Sequence, residues 1–398
     1  MKTTKGNRLH IGFFGRRNVG KSSLVNKIIG QDISVVSDIA GTTTDVNQKS
    51  MELLPIGPVT LMDTAGFDDS GELGTLRVQK TKKVLDRTDI AVFVFDNLFL
   101  QEADLEFLKE LELKKIPILL VFNKADKGTL SETELKKAET FSNNIIKISA
   151  KNDNDVVEKF KDALIKVLPN DFIAEQRILS DIVTKGETAV LVVPIDKEAP
   201  KGRLILPQVN VIRDLLDYGA VSVVCGVNEL TGVINNFKKT PKIVVTDSQA
   251  FKEVSKIVPD DIMLTSFSIL FARLKGNLPA LVKGAEKLDK INNGDKILIL
   301  ESCSHHPVED DIGRVKIPKL IEKYTGKKPV FEHYSGHDFP PNIDKYTLIV
   351  HCGACMTNRR EMLSRIENAA KNAVPITNYG IVIAKCIGIL DRAIKPLL

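Results

Sequence analysis

Eight residues near the N-terminus have the types and spacing to hold a polyphosphate. Gly15-Arg16-Arg17-Asn18-Val19-Gly20-Lys21-Ser22 fits the pattern G-x-x-x-x-G-K-[ST]. An apolar run, Leu9 to Phe14, precedes it as a strand should, and Ser23 to Ile29 follows with helical character. The glycines let main-chain N–H groups wrap phosphate oxygens, and the helix N-terminus adds a favourable dipole. Lys21 is expected to neutralise the β- and γ-phosphates, and Ser22 to bind Mg²⁺ through its hydroxyl. Gly15, Asn18, Val19, Gly20, Lys21, Ser22 and Ser23 make up this half of the expected nucleotide site.

Four further short motifs follow in an order that chance does not give. Gly41-Thr42-Thr43-Thr44-Asp45 lies where a γ-phosphate-sensing loop belongs, and Thr43 is the expected second Mg²⁺ ligand. Asp63-Thr64-Ala65-Gly66 ends a strand. There Asp63 can hold Mg²⁺ at its outer shell, and the Gly66 N–H can approach the γ-phosphate. Asn123-Lys124-Ala125-Asp126 follows another strand. The Asp126 carboxylate can accept the two N–H donors of a guanine edge, a pair adenine lacks, which points to GTP rather than ATP. Asn123 and Lys124 brace that loop, and Ser149-Ala150-Lys151 supplies the last base contacts. Lys21, Thr43, Asp63 and Gly66 are therefore the expected catalytic set. Each tetrapeptide alone reads as a turn; five in order do not.

A second group of residues could hold a metal. Cys303-Ser304-His305 and His351-Cys352-Gly353-Ala354-Cys355 form C-x-H and H-C-x-x-C, each directly after an apolar strand. Two cysteines three apart bring their thiolates to one side of a turn. Zinc accepts three cysteines and a histidine, and an iron–sulfur cluster accepts the same set; spacing alone leaves both open. Cys303, Cys352 and Cys355 are the expected ligands, with His305 or His351 as a fourth. Cys225 and Cys386 lack such neighbours and read as small apolar core residues. His333 and His337 read as part of a surface loop.

The elements that must position these residues are those of an α/β protein. The first 170 residues alternate strands (Leu9–Phe14, 59–62, Ile90–Phe95, 116–122, 145–148) with helices, the pattern of a doubly wound, mostly parallel sheet. Two smaller α/β domains are expected behind it, at 178–262 and 263–398, with no sequence repeat between them. The chain has 398 residues, too many for one core. The five cysteines and the lack of a leader-like segment argue against a disulfide framework and for the cytoplasm. The longest apolar runs are too short to cross a bilayer. A net charge of +5, no Trp and few aromatics give no reason to expect a nucleic-acid partner.

Asp38-Ile39-Ala40-Gly41-Thr42-Thr43 and Asp63-Thr64-Ala65-Gly66-Phe67 resemble the branch of translation-factor-related GTPases that includes TrmE and Era. The resemblance puts Phe67 where Ras-type enzymes carry a water-orienting glutamine. It also matches Asn18 to the phosphate-loop asparagine that ligates K⁺ in potassium-activated members. Such a GTPase domain joined to C-x-H and H-C-x-x-C resembles the HydF family, the GTPases of FeFe-hydrogenase maturation. That resemblance implies a 4Fe–4S cluster on Cys303, Cys352 and Cys355 with one exchangeable position, and a middle domain that makes a homodimer. It further implies a scaffold that receives the diiron precursor of the H-cluster, built with radical-SAM maturases, and passes it to apo-hydrogenase. A tRNA-modification GTPase or a redox-sensing GTPase shares many of these motifs.

Overall fold

Six consecutive residues with no exposed side chain, Leu9–Phe14, form the central strand β1 of the first sheet. A strand apolar on both faces must be covered on both, and the elements around it do that. In the computed structural model, residues 5–30, 47–68, 80–96, 99–168, 177–195, 202, 204–302, 311–337 and 339–398 are described. They fall into two units, Met1–Glu175 and Gln176–Leu398.

The first unit has six strands: β1, β2 (Asn47–Leu53), β3 (Gly57–Asp63), β4 (Ile90–Phe95), β5 (Ile118–Phe122) and β6 (Ile145–Lys147). Their order is β2-β3-β1-β4-β5-β6. All pairs are parallel except β2 with β3. Helices α1 (Lys21–Ile29), α2 (Glu102–Leu113), α3 (Glu132–Glu139) and α4 (Val156–Val167) belong to it, as does a helical run at 80–85. One core packs α1 and α4 on the sheet around Phe13 and Phe160; a second packs α2 on the opposite face around Phe14 and Phe93. The expected doubly wound sheet is present. Strand β2 was not expected, because only one of its faces is covered and its sequence is largely polar.

The second unit holds two four-stranded parallel sheets. The middle sheet has β7 (Thr188–Val192), β8 (Val221–Cys225), β9 (Ile243–Thr246) and β10 (Met263–Ser266) in the order β8-β7-β9-β10. The C-terminal sheet has β11 (Lys296–Glu301), β12 (Val330–Ser335), β13 (Leu348–His351) and β14 (Ile376–Asn378) in the order β12-β11-β13-β14. Strand β10 pairs with β9, so the middle sheet runs past the expected boundary at 262.

The helices of this unit are α5 (Leu206–Asp217), α6 (Leu230–Asn235), α7 (Phe251–Ile257), α8 (Phe267–Lys275) and α9 (Leu278–Ala285) in the middle. Helices α10 (Ile317–Thr325), α11 (Arg359–Lys371), α12 (Tyr379–Cys386) and α13 (Leu390–Ile394) follow. Alternate residues of both sheets, Val190, Val192 and Val244 with Leu298, Leu300 and Ile349, share one core. The other faces have separate cores.

The two sheets have one topology, first-strand neighbour, first, third, fourth. Aligning them by register matches Thr265-Ser266-Phe267-Ser268-Ile269-Leu270-Phe271-Ala272-Arg273 with Thr377-Asn378-Tyr379-Gly380-Ile381-Val382-Ile383-Ala384-Lys385. Ser266 and Asn378 each cap the following helix, accepting from the N–H of Ile269 and Ile381. The two halves therefore repeat a topology, while the sequence match is confined to one strand–helix junction, in keeping with the expectation of no sequence repeat. No helix among the described residues is long and apolar enough to cross a membrane.

Candidate functional sites: a phosphate loop and a cysteine turn

The phosphate loop leaves β1 through two glycines that no other residue could replace. Gly15 has φ 146° and Gly20 φ 98°. A Cβ at Gly15 would lie 2.1 Å from the Val94 carbonyl, and one at Gly20 2.2 Å from Asn123 Nδ2. Lys21 is buried, and its Nζ donates to the carbonyls of Gly15 (2.9 Å) and Arg16 (2.8 Å), across the mouth of the loop. Ser22 and Ser23 are exposed at the start of α1.

Asn123 locks three motifs together. Its Nδ2 donates to Val19 O (2.9 Å), and its Oδ1 accepts from Ala150 N (3.0 Å). Lys124, at φ 58°, donates to the Asn18 carbonyl at 2.7 Å. Asp126 is exposed; a hydrogen bond with Ser149 holds its carboxyl below the usual range. Expected Asn18, Asn123, Lys124, Asp126, Ser149 and Ala150 are thus gathered around one loop, with Lys151 exposed beside them.

Asp63 sits at the end of β3. Burial pushes its carboxyl up, while the Ser22 hydroxyl and Lys21 pull it down. Its Oδ1 is buried without a hydrogen-bond partner among the described residues. A buried orphan carboxylate oxygen beside a serine hydroxyl and a lysine suits a hydrated Mg²⁺. Gly66 lies against the loop, where a Cβ would be 2.6 Å from Arg17 N. The Arg17 N–H donates to Asp68 Oδ1 at 2.7 Å. Phe67 stacks on Phe107 at 4.6 Å between ring centroids, so this side chain is turned into the core, away from the loop. Thr43 lies outside the described residues.

Sequence reasoning missed the role of Arg16. Its Nε donates to both Asp104 oxygens at 3.1 Å, and Asp104 also accepts from Gln101 N. This ties the loop to the start of α2. The ordinary i, i+3 capping pattern Gln101–Asp104 was legible; its partner 88 residues away was not.

In the second unit, Cys352 and Cys355 share the turn between β13 and α11. Ala354 stands at φ 54°, which folds the turn so that both thiols belong to one short loop. Ser302, at the end of β11, donates its N–H to Cys352 Sγ (3.3 Å), and the Cys352 N–H donates to Leu300 O (2.9 Å). The two strand ends are therefore brought together as the spacing implied. Cys303 and His305 lie outside the described residues. Among the described residues no group of three or more His, Cys, Asp or Glu side chains stands ready to hold a metal.

His351 is fully buried, with both ring nitrogens engaged. Nε2 is 2.7 Å from Arg365 Nη1, and Nδ1 is 2.7 Å from the Cys352 carbonyl. Arginine can only donate, so Nε2 accepts, Nδ1–H donates to the carbonyl, and the ring is neutral. His351 serves as a strut under the turn in this arrangement. Burial pushes the Cys352 thiol up. Hydrogen bonds from Ser302 and the Ala354 N–H pull it back down.

Arg365 was not foreseen. It is buried and donates to Ser302 Oγ (3.4 Å), Gly336 O (2.8 Å) and Glu361 Oε1 (2.8 Å) as well as to His351. Glu361, one helical turn earlier, also meets His337 Nδ1 at 3.1 Å. Only the i, i+4 spacing of Glu361 and Arg365 was visible in sequence. His333 belongs to β12 rather than a loop and meets the Gly313 carbonyl at 3.2 Å. Lys275 was also unforeseen: burial pushes its ammonium down to about 8, with the Cys355 and Cys352 charges pulling it back up. Cys225 and Cys386 are half-buried against apolar cores, as expected. Burial pushes Cys386 up to about 12.

Residues 10–124 match the family described as 50S ribosome-binding GTPase, so the first unit carries a GTPase domain. The chain is similar to the tRNA modification GTPase MnmE of Caldicellulosiruptor saccharolyticus, at 35% identity over 38% of this chain and 33% of that protein. It is similar to GTPase Der of Campylobacter hominis, at 34% identity over 41% of this chain and 35% of that protein. The chain spans about a third of the length of these curated relatives. The solved structure of Aquifex aeolicus Era covers 82% of this chain and 92% of its own at 16% identity, but its TM-score of 0.34 carries no argument. Residues 178–276 match the hydrogen maturase F dimerization domain, and residues 279–396 match the hydrogen maturase F tetramerization domain. These two domains span more than half of the chain behind a GTPase domain, and the chain belongs to the hydrogen maturase F family.

Proposed function

We propose that the chain is a GTP-hydrolysing scaffold and carrier of FeFe-hydrogenase maturation. The observation that carries the reading is the pairing of a phosphate loop braced by the guanine-recognition motifs with a half-buried cysteine turn that Arg365 and Lys275 adjoin. In the nucleotide site, Lys21 and the loop N–H groups hold the β- and γ-phosphates, Ser22 and Thr43 ligate Mg²⁺, and Asp63 holds its water. Asp126 selects guanine. Phe67 is stacked in the core and cannot orient the attacking water, so charge near the phosphates must come from elsewhere; K⁺ bound at Asn18 fits that need.

In the cysteine site, Cys352 and Cys355 offer two soft thiolates on one turn, and Cys303 follows the strand beside them. This donor set fits a 4Fe–4S cluster with one exchangeable iron position. A bound cluster supplies an iron that an incoming ligand can occupy. The residues of the chain do the rest. Arg365 joins the two strand ends, Ser302 donates to a thiolate, and His351 supports the turn from below. The cargo is the diiron precursor of the H-cluster, received from radical-SAM maturases and delivered to apo-hydrogenase. A homodimer through 178–276, and a cytoplasmic site, complete the reading.

The test is anaerobic purification with iron and sulfide analysis and EPR of the reduced protein. A 4Fe–4S signal is expected, lost in Cys303→Ala, Cys352→Ala and Cys355→Ala. After co-expression with the maturases, infrared bands of CO and CN⁻ ligands are expected. Zinc alone in the wild type would overturn the cluster, and absent infrared bands with active maturases would leave only a cluster-bearing GTPase. Asp126→Asn is expected to exchange GTP for xanthosine triphosphate as the hydrolysed nucleotide.

A further inference from the structure

Lys275 is the last residue of α8 and belongs to the middle half of the second unit, yet its side chain ends at the cysteine turn. It is 3% exposed. A buried ammonium is costly unless every donor is used. Its Nζ donates to the main-chain carbonyls of Ala354 (3.1 Å), Cys355 (3.3 Å) and Thr357 (2.8 Å). These are all the hydrogens it has. The Phe271 ring, one turn back on α8, lies 5.5 Å from the charge.

Three carbonyls of one turn, converging on one cation, do not arise from the turn's own backbone. Ala354 is held in the left-handed region there, a conformation that costs a non-glycine residue energy and persists only when its surroundings impose it. The fold does not require the lysine either. The register that matches Thr265 with Thr377 places Ile387 at the equivalent point of the C-terminal half. A buried charge has been put at one of two equivalent places, the one that faces thiols.

We propose that Lys275 is a positioning residue for the metal-binding turn: it sets the carbonyls of 354–357 from across the unit and places a fixed positive charge beneath Cys352 and Cys355. The turn is then shaped before a cluster arrives, and the middle half that matches the dimerization domain is tied directly to it. The charge favours the more reduced, more negative cluster, so it raises the reduction potential. This inference rests on the cluster reading above.

The experiment uses the full-length protein with Lys275→Met, which removes charge and donors, and Lys275→Gln, which keeps donors. Thermal melting and size-exclusion chromatography check the fold of each. After anaerobic reconstitution, both variants are expected to show a cluster potential shifted to more negative values. Loss of iron to a chelator should be about tenfold faster in Lys275→Met, with Lys275→Gln between. In metal-free protein, hydrogen exchange over residues 352–358 should be several-fold faster in Lys275→Met. Unchanged potential and unchanged iron retention in folded variants overturn the proposal. If the wild type takes up no cluster, the cluster reading fails by itself. Exchange in metal-free protein then still decides: acceleration keeps the positioning role, and no change removes it. Should Lys275→Met not fold, Lys275→Gln is judged by the same readouts.

Discussion

The middle and C-terminal sheets share strand order, parallel sense and the register of first against third strand, but only the C-terminal one carries a cysteine pair on the turn after its third strand; Cys225 of the middle sheet ends the edge strand β8. Thr246 in the middle sheet occupies the place of His351, Asp247 that of Cys352, and Ala250 that of Cys355. Both crevices lie at the carboxyl ends of the strands where the order reverses, the place where open α/β sheets bind ligands. In the middle sheet the Asp247 carboxylate is taken by Gln208 Nε2 at 2.7 Å. In the C-terminal sheet the corresponding thiol faces Ser302, with Arg365 and Lys275 close by. Topology supplies the same pair of strand ends twice; side chains decide that only one of them carries a cysteine pair on its turn.

The comparison can be broken most sharply by the thiols themselves. Cys352→Ala or Cys355→Ala should abolish cluster retention, measured as iron and sulfide per chain, whereas Ala250→Ser in the twin crevice should leave it unchanged. Iron retained in full by both cysteine variants would erase the distinction between the two sheets.

The next largest effect concerns the buried networks. Arg365→Leu removes the buried guanidinium that pairs with the Glu361 carboxylate and that donates to Ser302, Gly336 and His351. It should cost about 3–5 kcal/mol in urea unfolding of the second unit. The middle half has its own buried carboxylate: Asp214 accepts from Leu179 N (2.8 Å), Ser180 N (2.8 Å) and Ser180 Oγ (3.0 Å). Asp214→Ala should cost about 1–3 kcal/mol. A larger loss from Asp214 than from Arg365 would show that the stronger polar framework belongs to the sheet without the cysteine turn.

A smaller, pH-dependent difference lies on the edges. On β12, Lys345, Tyr346 and Lys296 hold the Glu332 carboxyl down to about 2. A depressed acid stabilises the fold above its unfolded value and loses that contribution as pH falls. The loss should run from about 4.5 towards 2, and it should vanish in Glu332→Gln, read as the acid limb of a thermal melting curve. The smallest effect concerns Cys386. With its thiol raised to about 12, it should resist iodoacetamide at pH 8 until the protein is unfolded.

Much of the first unit was legible because its chemistry is contiguous. Gly15 to Ser22 carries the glycines, the lysine and the serine in one loop, and the strand before it is apolar on both faces. The edge strands β2 and β12 and the three-residue β14 escaped because half-covered or short strands lack an apolar run. The twin sheets escaped because two folds can share topology while only one strand–helix junction keeps its residues.

The sequence by itself determined the nucleotide constellation, the three cysteines and the α/β class, since each is written in local spacing. Tertiary structure alone decided what surrounds them. Lys275 reaches carbonyls 79 to 82 residues away, and Arg365 joins Ser302, 63 residues before it, to His351. It also brought both ring nitrogens of His351 against partners, the Cys352 carbonyl and Arg365. Such partners leave no periodic trace, because a buried charge is satisfied by whatever the packed chain brings within three ångströms, not by its neighbours in sequence.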